Sequence, residues 1–260
     1  AGVTTYTYNN STNQLTRAIV KHGNDVLSTN NFETGTDGQA RASNSTDGLT
    51  ANVTTYTYNN ATNQLAQAVV KHGNDVLSTN NYETGTDGQS RIKDSADGLT
   101  ANVTTYFYNN ATNQVIQSVV KHGNDVLSTN NFETGTDGQA RIKDSTDGLT
   151  HNLTTYSYNN STNQLIKSVV TGDGHLIWPG SSDSNPILVT NNFETGTDGQ
   201  ARIHDSIDSL TANVTTYTYN NATNQLIQSV VKHGSDVLST NNYETGTDGQ
   251  ARASNSTDGL

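Results

Sequence analysis

One phrase of about fifty residues is written five times along this chain, with copies beginning at Ala1, Ala51, Ala101, His151 and Ala212. The third copy reads ANVTTYFYNNATNQVIQSVVKHGNDVLSTNNFETGTDGQARIKDSTDGLT, and the others stay close to it. Units repeated at a fixed period bury their apolar faces against their neighbours rather than each closing a core alone. The expected organisation is therefore a single repeat array over 1–260, with units 1–50, 51–100, 101–150, 151–211 and 212–260. Function is constrained by the same feature. A catalytic centre joins several different residues once, whereas near-identical units present the same surface repeatedly, so an enzyme is not expected.

Apolar residues make up only 30% of the chain, so its core must be thin layers of Val, Leu, Ile and Tyr. Charged residues are 14%, yet the net charge is −11, and the polarity comes mainly from Asn, Thr, Ser and Gln. Nucleic acid is an unsuitable partner for so acidic a chain, because phosphate binding needs clustered Lys and Arg. Anionic lipid is unsuitable on the same ground. With no Cys there is no disulfide framework, thiolate metal site or cysteine nucleophile. No apolar run is long enough to span a membrane as a helix. The absence of Cys and Met beside abundant Thr and Asn fits an extracellular or cell-surface protein. A first residue of Ala rather than Met suggests a processed protein or a piece of a longer one.

Each copy holds four extended segments separated by turn residues. The first, Val3 to Tyr8, is β-branched and aromatic, as strands prefer. Alternation puts Thr4, Tyr6 and Tyr8 on one face and Val3, Thr5 and Thr7 on the other. In the last copy the second segment runs from Leu226 to Val231 and ends at Lys232-His233-Gly234, where glycine permits a turn. The third spans Val237 to Glu244 and the fourth Gln250 to about Ser254, with Gly246-Thr247-Asp248-Gly249 between them as a hairpin signal. A second Asp-Gly, as at Asp147-Gly148, closes the unit. Nothing repeats at helical spacing, so the fold class is all-β, a tandem-repeat β-hairpin array.

The fourth copy departs from the others. Its stretch 171–190 is eleven residues longer than the KHGNDVLST it replaces, and contains the chain's one Trp and both its prolines. Insertions in repeat proteins map to loops on one face, often a binding face. Trp178 and His175 are therefore candidate contact residues. The competing reading is a lengthened hairpin tip whose Trp178 covers the side of the array.

The phrase Tyr56-Thr57-Tyr58-Asn59-Asn60-Ala61-Thr62-Asn63-Gln64-Leu65 resembles the RHS or YD repeat, whose units read approximately Y-x-Y-D-x-x-G-R-L followed by a strand and a glycine turn. Asn59 stands where that family has Asp, Asn63-Gln64 replaces its Gly-Arg, and the link to Leu65 is one residue longer. The half from Val76 to Leu99 echoes the same order more loosely, through Asn81-Tyr82-Glu83 and Gly88-Gln89-Ser90-Arg91. The resemblance thus covers every copy, as two units per copy. It implies a β-hairpin spiral of the kind found in large bacterial surface and secreted proteins and in teneurins, where the repeats form a shell or scaffold. It further implies that this chain is a fragment of a longer shell or a subunit that stacks.

Several recurrent residues carry a functional reading beside a plainer one. His22, His72, His122 and His233 follow Lys at one place in four copies and would form a ladder if stacked. Metal binding needs ligands converging about 2 Å from one ion, and the Lys-His-Gly context reads better as a solvated hairpin turn. Glu83 with Arg91, and Glu133 with Arg141, bracket the Gly-Thr-Asp-Gly turn and suit a cross-strand ion pair. Paired carboxylates for glycoside cleavage would need one cleft rather than five equal copies. No cofactor is expected. Asp37-Gly38 and Asp47-Gly48 leave calcium open, though neither the β-roll period nor EF-hand spacing is present.

Tyr6, Tyr8, Tyr56, Tyr58, Tyr106, Tyr108, Tyr156, Tyr158, Tyr217 and Tyr219 form a candidate sugar-stacking series, or else the core face of the first strand with hydroxyls bonded at the edge. Asn10, Asn52, Asn60, Asn102, Asn110 and Asn152 lie in Asn-x-Ser/Thr and are candidate glycan acceptors.

Two functional classes follow. The first is a non-catalytic extracellular structural protein: a stalk, filament or shell segment built as an open β-solenoid or spiral. Its terminal strands would pair with a longer parent chain or head to tail with another copy, since the last copy simply stops at Asp258-Gly259-Leu260 without a distinctive cap. The second is a multivalent carbohydrate-binding lectin built as a five-bladed β-propeller, one blade per copy, with avidity from equal sites.

Overall fold

The computed structural model describes residues 2–173, 185–246 and 250–259. Those residues form twenty β-strands and no helix. In the first copy these are β1 (Gly2–Tyr8), β2 (Leu15–His22), β3 (Asp25–Thr34) and β4 (Ala40–Asp47), and in the second β5 (Val53–Tyr58), β6 (Leu65–His72), β7 (Asp75–Thr84) and β8 (Ser90–Asp97). The third contributes β9 (Asn102–Tyr108), β10 (Val115–His122), β11 (Asp125–Thr134) and β12 (Ala140–Asp147). The fourth contributes β13 (Leu153–Tyr158), β14 (Leu165–Thr171), β15 (Ile187–Thr195) and β16 (Ala201–Asp208), and the fifth β17 (Asn213–Tyr219), β18 (Leu226–His233), β19 (Asp236–Thr245) and β20 (Ala251–Asp258). The fourth segment of a copy is thus longer than the sequence suggests, because Ser-Thr-Asp continues the extended run.

The chain divides into two compact units, Ala1–Leu127 and Ser128–Leu260. Within each, strands adjacent in sequence pair antiparallel, as in Tyr56↔Ala68 and Glu83↔Arg91. Copies are not separate blades. β4 pairs with β5 through Asn44↔Thr55, Ser45↔Thr54 and Thr46↔Val53, and β8 with β9 at the equivalent residues. In the second unit β12 pairs with β13, and β16 with β17, in the same way. The ladder therefore runs on from copy to copy, which replaces the five-bladed propeller with an open antiparallel hairpin array. A propeller blade would end where its neighbour begins, whereas the Ser-Thr and Val-Thr-Thr edges here complete each other's hydrogen bonds.

Turn chemistry fixes the register. Gly73, at φ 59°, opens the two-residue turn between His72 and Asp75, a place that demands the left-handed region. In the second hairpin Gly88 (φ 78°) donates to Gly85 O at 3.0 Å, and Asp87 Oδ1 accepts from the Gln89 N–H at 3.0 Å. Bulges sit at fixed places. Val115 pairs with Tyr108 and Gln117 with Phe107, so Ile116 is the extra residue and projects outward.

The core is thin, as composition requires. Among the described residues no large side chain is fully buried. The most buried side chains are one small residue per copy, Ala18, Ala68, Ser118, Ser168 and Ser229. Each lies opposite the first tyrosine of its copy, as in Tyr56↔Ala68 and Tyr106↔Ser118.

Candidate functional site

The most developed side-chain arrangement is the joint between successive copies. Only three residue pairs join β4 to β5, against six between β5 and β6. Past Asn44 and Thr55, on the side of Arg41 and Tyr58, the backbone ladder stops and side chains take over.

Arg41 holds Glu33 across its hairpin at 2.8 Å, and its guanidinium lies 4.3 Å from the ring centroid of Tyr58 in the next copy. The Tyr58 hydroxyl donates to Ala42 O at 2.7 Å. Asn63 Oδ1 accepts from Arg41 Nη1 at 2.7 Å, from the Thr36 N–H at 2.9 Å and from the Thr36 hydroxyl at 2.9 Å. The cross-strand ion pair legible in the sequence is therefore present, and it aims the guanidinium at the neighbouring tyrosine.

The arrangement recurs at every junction. Arg91, Arg141 and Arg202 lie 4.2, 4.3 and 4.4 Å from the rings of Tyr108, Tyr158 and Tyr219. Those tyrosine hydroxyls donate to Ile92 O, Ile142 O and Ile203 O at 2.5, 2.6 and 2.7 Å. Asn113, Asn163 and Asn224 repeat the Asn63 role. Burial, opposed by the adjacent arginine, holds the phenols of Tyr58, Tyr108, Tyr158 and Tyr219 above their ordinary range.

Asn63 explains a position in the YD-like phrase. Its φ is 57°, and Asn13, Asn113, Asn163 and Asn224 share that conformation at 55 to 57°. The family has Gly there. Asn tolerates the left-handed region and adds an acceptor that glycine lacks. Asn59, at the family's Asp, accepts the Ala61 N–H at 2.9 Å, a role either residue type fills. Gln64 ties the two hairpin tips of its copy together, donating to Gly88 O and accepting from the Thr84 hydroxyl.

The remaining sequence candidates fall elsewhere. Tyr56, Tyr106, Tyr156 and Tyr217 are part-covered on the sheet, while Tyr6 and Tyr8 stand 55% exposed on β1. His72, His122 and His233 are exposed near the other end of the strands, with Nδ1 at 3.0, 3.1 and 3.2 Å from the amide oxygens of Asn52, Asn102 and Asn213. These contacts occupy Asn52 and Asn102 of the candidate glycan acceptors, whereas Asn10 and Asn60 stand on exposed tip loops. Asn110 lies on such a loop as well, and its Oδ1 accepts from Arg91 at 3.4 Å. Asn152 is half-buried, and its carbonyl oxygen accepts from the Asp147 N–H at 3.0 Å. Asp37 Oδ1 and Asp47 Oδ1 accept backbone N–H groups of their own turns.

Among the described residues no group of three His, Cys, Asp or Glu side chains is placed to hold a metal ion. No helix of the described residues is long and apolar enough to cross a membrane. A shallow cleft of about 580 Å³ in the first unit is lined by Asn52, His72, Asn74, Asp75, Val76, Leu77, Gly98 and Leu99. Trp178 and His175 lie outside the described residues, as does most of the inserted stretch.

Sequence features missed by inspection of single copies were the Arg–Tyr pairing between copies and the left-handed alanines Ala51, Ala101 and Ala212, at φ 56 to 58°. The Arg–Tyr pair leaves a signal, a constant 17-residue spacing across the copy boundary. The alanines leave none.

No family model and no curated protein matches the chain. Among solved structures it is similar to a chain of the Photorhabdus luminescens Tc holotoxin pore, with a TM-score of 0.50 and 15% identity over 96% of this chain and 14% of that one. A TcdB2-TccC3 crystal structure aligns at a TM-score of 0.49 and 15% identity, over 97% of this chain and 14% of that one. A porin-like protein from Bacteroides uniformis aligns at a TM-score of 0.33 and 14% identity, over 93% of this chain and 94% of that one. The chain thus spans 14% of the length of the toxin chains it matches, and its likeness to the holotoxin chain is one of fold.

Proposed function

We infer that this chain is a non-catalytic, extracellular structural repeat segment of the RHS/YD kind, a stalk, filament or shell element of a bacterial surface or secreted particle. The observation that carries the reading is the joint itself. At each of its occurrences the Arg, Glu, Tyr and Asn side chains that offer chemistry are engaged with one another, holding one copy to the next. Residues spent identically on every copy serve length and stiffness rather than a single reacting centre. The YD-like phrase and the fold shared with a Tc toxin chain support the same reading.

Protease treatment of intact source cells or secreted particles tests it, with an antibody raised against these residues. A surface or shell segment is detected outside the membrane or on the particle. Recovery only with a cytoplasmic marker would overturn the reading.

A further inference from the structure

The tripeptide Asn-x-Ser/Thr recurs along the chain in two settings, one on loops and one in strands. Asn60-Ala61-Thr62, Asn110-Ala111-Thr112, Asn160-Ser161-Thr162 and Asn221-Ala222-Thr223 lie on the loops that join the first and second strands of their copies. Asn10-Ser11-Thr12 holds the same place in the first copy. All three residues of each of these tripeptides are exposed. Asn52-Val53-Thr54, Asn102-Val103-Thr104, Asn152-Leu153-Thr154 and Asn213-Val214-Thr215 instead run into the sheet. Their asparagines are half-buried. Their threonines are paired on both sides, as Thr54 is with Val70 and Ser45, and Thr104 with Val120 and Ser95. Asn44 and Asn255 also open such tripeptides inside strands, and their Oδ1 atoms accept from Asn31 and Asn242 at 2.7 Å.

The tip loops present their asparagine from a fixed backbone. Around Asn60 the loop is closed by the Asn59 N–H on Gln64 O at 2.9 Å and the Asn63 N–H on Asn59 O at 2.8 Å. The Asn60 carbonyl oxygen accepts the Thr36 hydroxyl of the preceding copy at 2.8 Å. Asn110, Asn160 and Asn221 are held alike by Thr86, Thr136 and Thr197. Their side chains are left available. Among the described residues none of these asparagines donates its Nδ2 hydrogens, and the Oδ1 atoms of Asn110 and Asn221 receive only long contacts of 3.4 Å from Arg91 and Arg202. The Thr62 hydroxyl is engaged only as an acceptor, from the Gln64 N–H at 3.4 Å. Asn9 and Asn159 precede a serine by two residues as well, but their Oδ1 atoms accept the Ser11 and Ser161 N–H groups and build the loop.

We propose that Asn10, Asn60, Asn110, Asn160 and Asn221 are the glycan acceptors of this chain, and that the strand asparagines are not. A transferring enzyme must seat the backbone of the tripeptide and reach Nδ2, and a strand paired on both sides offers neither. The co-substrate is a sugar activated at C1 by a phosphate or diphosphate ester. Nδ2 forms a bond to C1 while the C1–O bond to the phosphate breaks. The phosphate leaves with that electron pair, and the amide proton passes to a base of the enzyme. One saccharide per copy follows, on the loop that rests against the preceding copy. The inference goes beyond the scaffold reading and does not depend on it.

Peptide mass mapping of the chain purified from its own source tests the assignment, with a Thr62→Ala variant produced beside it. Saccharide is expected on the five tip-loop asparagines and on none of Asn52, Asn102, Asn152 and Asn213. Thr62→Ala should lower occupancy at Asn60 by about tenfold or more and leave Asn110 unchanged, which a general loss of folding would not do. Bare tip loops, equal occupancy of the strand sites, or an unchanged Asn60 in the variant would overturn the assignment. Each of these results leaves the surface or particle location, and so the scaffold reading, to its own test.

Discussion

The guanidinium of Arg41 lies 4.3 Å from the centroid of the Tyr58 ring, and the Tyr58 hydroxyl donates to the carbonyl oxygen of Ala42 at 2.7 Å. One tyrosine is thus gripped at its face and at its tip by consecutive residues of the preceding copy. Each grip compensates for a ladder that stops after three residue pairs. Removing the equivalent arginine should therefore open the junction rather than the hairpin. Arg91→Ala is expected to cost about 2 kcal/mol, from the lost ring contact and hydrogen bonds. Tyr108→Phe, which loses only the hydroxyl bond to Ile92 O, is expected to cost about 1 kcal/mol. Hydrogen exchange should rise first at the β8 and β9 amides. A double-mutant cycle on Arg91 and Tyr108 showing no coupling would remove the joint as a source of cohesion.

Much of this fold is legible in the sequence because local rules and tertiary rules agree. Val-Thr-Thr-Tyr runs make strands, and Gly-Thr-Asp-Gly and His-Gly-Asn-Asp make turns, so strands and hairpins follow without tertiary information. The Glu83–Arg91 pair follows as well, since both residues flank one turn. The joint is less legible. Arg41 and Tyr58 meet only because β4 and β5 pair at one particular register, and a slip of one residue would turn them to opposite faces. The propeller alternative is open at the sequence level for the same reason. Strand count per copy does not say whether the ladder crosses the copy boundary.

The left-handed alanines make a prediction of opposite sign. Ala101 has φ 57°, a region that costs a residue with a Cβ roughly 1–2 kcal/mol. Ala101→Gly should therefore stabilise the array by about 0.5 kcal/mol, after the extra entropy of unfolded glycine is subtracted. Asn113 shares the conformation but also accepts from Arg91 at 2.8 Å and the Thr86 N–H at 3.0 Å. Asn113→Gly should consequently destabilise, and Asn113→Ala should do so by about 1 kcal/mol more. Urea titration of the three variants tests the order. Stabilisation by Asn113→Gly would sink the acceptor role.

Two sets of groups set the pH limits. Burial raises the joint phenols Tyr58, Tyr108, Tyr158 and Tyr219 above 10.0. Their neutral form is favoured in the fold, so their contribution is complete below pH 10.0 and is lost as pH rises through the raised values. Absorbance titration should find these four phenols ionising above pH 10.0, together with unfolding. Asp47, Asp97, Asp147 and Asp208 are instead held below 3.8, first by the N–H of the threonine three residues on. Their contribution is present above pH 3.8 and fades as pH falls through the lowered values, so the copy-closing turns should loosen first in acid. Uniform titration of all tyrosines would contradict the covered geometry.

The turn that closes the first, second and fifth copies admits almost no side chain at its glycine, whereas the fourth has a serine there. A Cβ on Gly98 would stand 1.8 Å from Val76 O, and on Gly48 it would stand 1.7 Å from Val26 O. Gly98 keeps its N–H on Leu77 O at 2.8 Å, so the backbone cannot retreat without losing that bond. The equivalent residue after the enlarged copy is Ser209, whose N–H reaches Leu188 O at 2.9 Å. The partner strand there enters differently, through Thr171↔Ile187 in place of a tight His–Asp turn. The closing turn that carries a side chain is thus the one beside this altered entry. Gly98→Ser is expected to cost about 3 kcal/mol, in the range of overpacked interiors, while Ser209→Gly should change stability by less than about 1 kcal/mol. Thermal unfolding of the two variants decides it, and equal losses would mean that the serine is accommodated by something other than the altered entry of β15.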